Sequence, residues 1–230
     1  LTACSLPLLR APEQSPLPPS SRQLVIVRTQ DWGSTTGTLQ RYQRDPAPAR
    51  WQPAGPPIPV VVGRNGLAWG IGLNGQTAPG DGPLKMEGDG RAPAGAFAFN
   101  TAFGYAPAGA VPWVRMPYVQ AESSYRCVDD VGSRHYNRLV FEDRTGKDWT
   151  SSEEMLRPDG QYRLGMVVEH NWGSRTQSAR GSCIFLHIWS APDRGTAGCT
   201  AMAPEDMETL LRWLDPALHP VLIQLPNHEY

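Results

Sequence analysis

Ser182-Cys183-Ile184-Phe185-Leu186-His187-Ile188-Trp189, followed after a polar loop by Thr196-Ala197-Gly198-Cys199-Thr200-Ala201-Met202, is the stretch around which the rest of the chain is read. The first half is a short apolar run of the kind that forms a buried β-strand, and it carries a histidine near its end. The loop between the halves holds Pro192, Asp193, Arg194 and Gly195, and a Gly-Cys pair follows. A histidine and a cysteine brought together by a strand, a loop and a turn are the minimum equipment for a cysteine nucleophile.

The 230 residues suffice for one large domain or two small ones, with a sizeable core. A net charge of -1 gives no basic field for nucleic acid and no acidic field for a basic partner. The 23 Gly and 23 Pro suit short strands and many turns better than a helical bundle. Eight Trp and seven Tyr fit a core or an aromatic-lined groove equally well. No stretch approaches the roughly 18 consecutive apolar residues of a membrane helix.

Leu1-Thr2-Ala3-Cys4 resembles the end of a bacterial lipoprotein signal, with Cys4 as the residue to be lipidated. Ser5 to Ser20 hold five prolines and read as a tether behind such an anchor. Residues 1–21 are therefore set apart from a body of residues 22–230. Ser5 in place of Asp after the cysteine resembles outer-membrane sorting in a Gram-negative cell, which puts the expected location in the periplasm. Export permits a disulfide. With Cys4 and Cys199 set aside, Cys127 and Cys183 are either that pair or two separately buried thiols.

Along the body, Gln23 to Arg28 and Thr38 to Tyr42 read as a hairpin across Trp32–Gly37. Asp45 to Pro59, with six prolines, reads as a connecting loop. Val60 to Val62 leads through an Asn65-Gly66 turn into a second strand. Pro79 to Gly95 is rich in glycine and charge. It is either a solvated loop or a backbone that approaches a polar ligand near Lys85, Asp89 and Arg91. Phe97 and Phe99 alternate with small residues as in a half-buried strand, and Phe103 to Gln161 is loop-rich.

Thr150-Ser151-Ser152-Glu153-Glu154 has capping-box spacing and predicts a short helix. Leu164 to Asn171 reads as a strand reaching His170, which is either structural or part of the groove with Asn171. Pro204, Glu205 and Asp206 open a helix whose Met207, Leu210, Leu211 and Leu214 form one apolar face. Val221 to Leu225 reads as a closing strand. About eight to ten strands against one or two short helices predict a mainly β sandwich.

A cysteine attacks as thiolate, so it needs a base and N–H groups for the oxyanion it creates. His187, twelve residues before Cys199, is the candidate base. Gly198 lets the chain turn tightly, so that the Gly198 and Cys199 amides can face an oxyanion, and the helix near Pro204 adds positive potential if its end faces the site. Zinc is not expected, because His187, Cys199, Cys183 and His170 show no Cys-x-x-Cys or His-x-x-x-His spacing.

His187 followed by Thr196-Ala197-Gly198-Cys199 resembles the signature of the L,D-transpeptidase (YkuD-type) catalytic domain, in which a histidine precedes a Ser/Thr-x-Gly-Cys turn. Gly63–Gly70, Glu87–Phe97 and Gly181–His187 are similar to a proteobacterial branch of that family. The resemblance spans roughly residues 22 to 226. It implies a β-sandwich in which Cys199 attacks a peptidoglycan stem peptide, forms a thioester, and passes the acyl group to an amine of a neighbouring stem.

In this likeness His187 activates Cys199, no metal or cofactor takes part, and carbapenem-type inhibitors are possible ligands. Stem peptides are both donor and acceptor, and the only membrane contact is the lipid anchor. His170, Asn171, Arg91, Lys85, Asp89 and Thr196 are expected along the substrate groove. The chain departs from the family pattern at Ala197, at Ile188 and at Thr200-Ala201-Met202, where the family usually has a second histidine, a glycine and an arginine. The expected product is a 3→3 or 1→3 diaminopimelate link. Hydrolysis of the same stems and a non-catalytic wall-binding module are the alternatives.

Overall fold

The computed structural model describes residues 17–46, 49–76 and 80–230. Cys4 and most of the tether lie outside the described residues. In chain order the strands begin with β1 (Gln23–Thr29), β2 (Thr36–Gln43), β3 (Gln52–Pro53), β4 (Ile58–Val61), β5 (Leu67–Trp69), β6 (Ile71–Gly72) and β7 (Gly75–Gln76). They continue with β8 (Ala92–Gly104), β9 (Tyr118–Gln120), β10 (Tyr125–Val128), β11 (Arg138–Phe141), β12 (Ser152–Glu154) and β13 (Leu164–Val168). β14 (Phe185–Ile188), β15 (Thr200–Met202), helix α1 (Pro204–Trp213) and β16 (Val221–Pro226) complete the order.

The mainly β sandwich expected from the sequence is what forms. Its strands run β1-β16-β8-β13-β14-β15-β4-β2, and β2 pairs back onto β1, so one sheet closes on itself to make both layers. Between the layers lie Val25, Val27, Leu39, Val60, Phe97, Met166, Leu186, Met202 and Leu210, all buried. A separate sheet, β11-β10-β12, lies beside a second buried cluster that includes Phe103, Cys127, Met155, Tyr162, Cys183, Phe185 and Cys199. The predicted β1–β2 hairpin is present in full register from Gln23↔Gln43 to Thr29↔Gly37.

α1 starts at Pro204 with Glu205 and Asp206 in its first turn, and it buries Met207, Leu210 and Leu211 against β13 and β14. The acidic first turn complements the partial positive charge of the helix start. At the other end Gln23 ties β1 to the helix exit: its Nε2 donates to Trp213 O (2.7 Å) and its Oε1 accepts from Asp215 N (2.8 Å).

Three local expectations are corrected. The helix predicted after Thr150 is strand β12, which pairs antiparallel with β10 through Cys127↔Glu153. Thr150 does not cap anything; its N–H and hydroxyl both donate to Asp130 Oδ2, at 2.7 and 2.8 Å. The Asn65-Gly66 turn forms, with Gly66 N donating to Gly63 O, but the flanking strands diverge, β4 to β2 and β15, β5 to β8. The proline-rich segment before Val60 contributes β3 and the start of β4 rather than loop alone.

Glycines admit the backbone beside the site. A Cβ on Gly63 would lie 2.4 Å from Gly90 O and 2.6 Å from Ala92 N, so the Gly90–Ala92 chain can pass only against a glycine there. Gly165 likewise leaves room for the Phe103 ring, which a Cβ would meet at 2.3 Å.

Candidate active site

β14 and β15 run parallel, with Leu186↔Thr200, His187↔Ala201 and Ile188↔Met202 opposite one another. Side chains alternate faces along a strand. Leu186, Ile188 and Met202 enter the inter-layer core, while Phe185 and Cys199 join the second cluster. His187 shares the face of Phe185, and the register carried one residue back sets Cys199 against Phe185. Histidine and cysteine therefore occupy one face of adjacent strands, two positions apart. Ala201, the residue opposite His187, is small enough to leave the imidazole space towards Cys199.

Both groups are buried, Cys199 at 6% exposure and His187 at 4%. His187 Nδ1 lies 2.8 Å from Ile188 O. A carbonyl only accepts, so Nδ1 carries the proton and Nε2 keeps the basic lone pair. Burial pushes the imidazole down to about 4, opposed by that backbone hydrogen bond. Burial also raises the Cys199 thiol far above its ordinary value, and the nearby Glu153 charge adds to the rise. The Phe185 N–H, which donates to Sγ at 3.3 Å, acts in the other direction, as do Lys85 and Arg157. The thiol in turn donates to Cys183 O at 3.5 Å. The resting pair is therefore neutral thiol and neutral imidazole.

The loop that presents Cys199 is shaped by Thr196. Its hydroxyl donates to Cys199 O (2.6 Å) and accepts the Gly198 N–H (3.1 Å). That corrects the expectation for Gly198, whose amide is spent on the turn. Gly198 keeps a steric role: a Cβ there would lie 3.2 Å from Arg91 O. The expectation for α1 also changes, because the helix starts at the far end of β15, roughly 15 Å of extended chain beyond Cys199. Helix-end potential fades within about one turn.

The other expected groove residues are held in the scaffold. His170, 1% exposed, accepts the Ile71 N–H at Nδ1 (3.2 Å) and bonds Arg180 O through Nε2 (2.9 Å). Asn171 is buried, its amide donating to Gln177 O and Gly181 O and its Oδ1 accepting Gln177 N–H. Lys85 Nζ, also buried, pairs with Asp89 Oδ1 and donates to Met86 O, both at 2.7 Å. Asp89 further accepts from Met86 N and Arg91 N. The Arg91 guanidinium caps Leu67 O and Trp32 O. Together these groups fix the Lys85–Arg91 loop against the site rather than lining it with open hydrogen-bonding groups.

Cys127 and Cys183 form a disulfide (Cα–Cα 5.9 Å), so of the two alternatives the structure holds the pair. It fastens β10 to the residue whose carbonyl receives the Cys199 thiol. Cys183 sits at φ 55°, and its N–H donates to Asn137 Oδ1 at 2.9 Å. Asn137 Nδ2 meanwhile holds His170 O and Asn171 O.

Sequence reasoning missed two groups. Tyr162, 3% exposed, packs its ring edgewise on His187 (centroids 5.1 Å) and on Phe185 and Phe103 (5.6 Å each). Its hydroxyl donates to Glu153 Oε2 at 2.6 Å. Burial lifts the Glu153 carboxyl to about 7. Glu153 was legible only as half of a capping box, and Tyr162 carries no local signal. Two surface depressions, one bordered by Arg44 and Arg50 and the other by Met116 and His219, include neither member of the pair. Among the described residues no group of three or more His, Cys, Asp or Glu is arranged to hold a metal ion.

These shifts set the pH dependence of stability. His170, pushed by burial to about 3, and His187, at about 4, bind protons more readily in the unfolded chain. Their contribution is present above about 6.5 and is lost as pH falls towards their folded values. Glu153 acts oppositely between 4.5 and about 7, because its neutral form is the one the fold prefers. Two imidazoles outweigh one carboxyl, so Tm is expected to peak near pH 6.5. It should fall gently to 4.5 and then steeply, where Glu153 no longer compensates and the lowered Asp130, Asp148 and Asp159 carboxyls also protonate. Calorimetry across pH 4 to 8 checks this; a Tm that rises between 6.5 and 4.5 would contradict it.

Compared with known families, residues 34–223 match the model of the L,D-transpeptidase catalytic domain, YkuD. No curated protein and no solved structure matches the chain.

Proposed function

The chain belongs to the YkuD family of L,D-transpeptidase catalytic domains, which act on peptidoglycan stem peptides, and on that premise we propose that it is an active cysteine L,D-transpeptidase with Cys199 as nucleophile and His187 as its base. The observation that carries this reading is the placement of His187 and Cys199 on one face of parallel neighbours, with the tautomer that leaves Nε2 basic.

A neutral resting pair means that the thiol proton moves to His187 Nε2 as sulfur attacks the donor carbonyl, not before. The carbonyl oxygen becomes an oxyanion. The Cys199 N–H is the donor that the loop offers it, since the Gly198 amide already serves Thr196. Collapse breaks the scissile C–N bond, the imidazolium gives its proton to the departing amine, and a thioester remains on Cys199. An acceptor amine then attacks the thioester while His187 takes its proton. Collapse forms the new amide, and the thiol leaves with the proton that His187 returns. The donor is read as either of two bonds, giving 3→3 or 1→3 links.

Peptidoglycan lies outside the cytoplasmic membrane, and the Cys127–Cys183 disulfide suits that oxidising side. The proposal therefore includes a periplasmic location, with Cys4 as the lipid anchor in the outer membrane.

Carbapenem acylation tests the nucleophile. Intact-mass measurement is expected to show one adduct on the wild-type chain, on the peptide containing Cys199, and none on Cys199→Ala. No adduct on the wild type, or an equal one on the variant, would leave a wall-binding module with an idle thiol.

A further inference from the structure

Glu153 is one hydrogen bond away from the ring that walls His187, yet no step of the proposed reaction uses it. Its strand β12 is held by β10, the strand that carries Cys127 of the disulfide. The Tyr162 hydroxyl reaches its Oε2 at 2.6 Å, while the Tyr162 ring stands edge-on to His187 and to Phe185, the residue whose N–H meets the Cys199 sulfur. Cys199, Tyr162 and Phe185 share one buried cluster, so little water separates these groups.

The charged and titratable groups around this centre are few. Glu153 faces Tyr162, Asp129, Arg157 and Glu87. Asp129 holds an Oδ1 buried without a hydrogen-bond partner. Glu87 accepts from Tyr136 and Ser182. Arg157 lies over the Tyr162 ring at 5.0 Å and is paired with Asp159. Cys199 feels Glu153, Lys85 and Arg157, and its charge is felt by Tyr162. His187 feels Arg157 and Asp159. Lys85 and Arg157 already have anionic partners in Asp89 and Asp159, which leaves Glu153 as the charge that acts most strongly on the thiol and changes near neutrality.

We infer that Glu153 is a positioning residue for the Cys199–His187 pair: its bond to the Tyr162 hydroxyl holds the Tyr162 ring against His187, and its charge acts on the thiol, so that as a neutral acid it permits a thiolate to form and as a carboxylate it opposes one. The inference rests on reading Cys199 as the nucleophile. A carboxylate on half-buried Glu153 and a thiolate on buried Cys199 repel each other across the Tyr162 and Phe185 rings, so the two groups titrate as a coupled pair. Rising pH would then first ionise Glu153, at about 7, and this ionisation would delay the thiolate.

The test follows alkylation of Cys199 by iodoacetamide, read by mass spectrometry on the full chain between pH 6 and 10. It uses no cell-wall substrate, so its failure is distinct from failure of the transpeptidase reading, which the carbapenem adduct reports. For the wild type, log rate is expected to rise with pH, flatten just above 7 and rise again. Glu153→Gln should remove the plateau and alkylate about tenfold faster at pH 8.5, the effect of about one unit of coupling. Tyr162→Phe, which removes a hydrogen bond that favours the carboxylate, should move the plateau to higher pH. A purely structural Glu153 would change Tm but leave an unbroken wild-type line. That line, or a Glu153→Gln profile that superimposes on the wild type, overturns the inference. If Glu153→Gln does not fold, the wild-type profile and Tyr162→Phe still decide it.

Discussion

Cys199→Ala is expected to abolish transfer of stem peptides, with a loss of at least about 10⁴-fold, and His187→Ala is expected to lose about 10²–10⁴-fold. The two are not additive. Without sulfur no thioester forms, so the base has no proton to take. Without the imidazole, the thiol has no acceptor in a site where burial already holds its proton on. The double variant should therefore be no worse than Cys199→Ala alone. His187 sits on β14 and Cys199 on the turn residue just before β15, and both substitutions leave Leu186 and Met202 in the core. Circular dichroism and Tm should stay close to wild type while acyl transfer, followed by chromatography of the products, disappears. A Cys199→Ala chain that still transfers acyl groups at a tenth of the wild-type rate would contradict the nucleophile.

The second large effect concerns the disulfide. Cys127→Ala with Cys183→Ala is expected to destabilise the fold by about 4 kcal/mol, because the bridge closes a loop of 56 residues in the unfolded chain. It also ties the β11-β10-β12 sheet to the segment that enters β14. Cys183 holds a left-handed backbone conformation at φ 55° and supplies the carbonyl that receives the Cys199 thiol. Loss of the bridge should therefore slow acylation even at temperatures where the chain remains folded. Chemical denaturation of the oxidised wild type and of the double variant measures the first effect, and carbapenem acylation rates measure the second. Equal midpoints for the two chains would remove the bridge from the stability of the fold.

Much of this organisation could be read from residues near one another in sequence. The apolar run ending in Phe185-Leu186-His187-Ile188 has no polar alternation, which matches a strand buried on both faces, and β14 is such a strand. The stripe of Met207, Leu210, Leu211 and Leu214 marked α1 because helical spacing is itself local. Histidine and cysteine came together because a short loop joins their strands. The turn at Thr196 is misread from the sequence although its signal is local: a hydroxyl two residues before Gly198 competes for the amide that the sequence reading gives to the oxyanion.

What was not legible depends on pairing across distance. Thr150 and Glu153 have the spacing of a helix start, but Asp130, 20 residues upstream, takes Thr150, and Cys127 of β10, further upstream still, pairs with Glu153. Local propensity lost to a sheet partner. His170 ends a strand region in sequence, and only the fold shows Ile71 and Arg180 occupying both its nitrogens. Glu153 and Tyr162 gain meaning only when β12 and the turn before β13 converge beside His187. Neither has a motif, because the constellation is assembled from segments that share no sequence register.

The central claim, that Cys199 carries stem-peptide transfer, is tested most directly by muropeptide profiling. Purified sacculi are incubated with the full wild-type chain or with Cys199→Ala, digested, and resolved by mass. The wild type is expected to generate cross-linked dimers joined through diaminopimelate, and the variant none. Dimers in equal amount from both chains, or a wild-type profile indistinguishable from that of untreated sacculi, would contradict it.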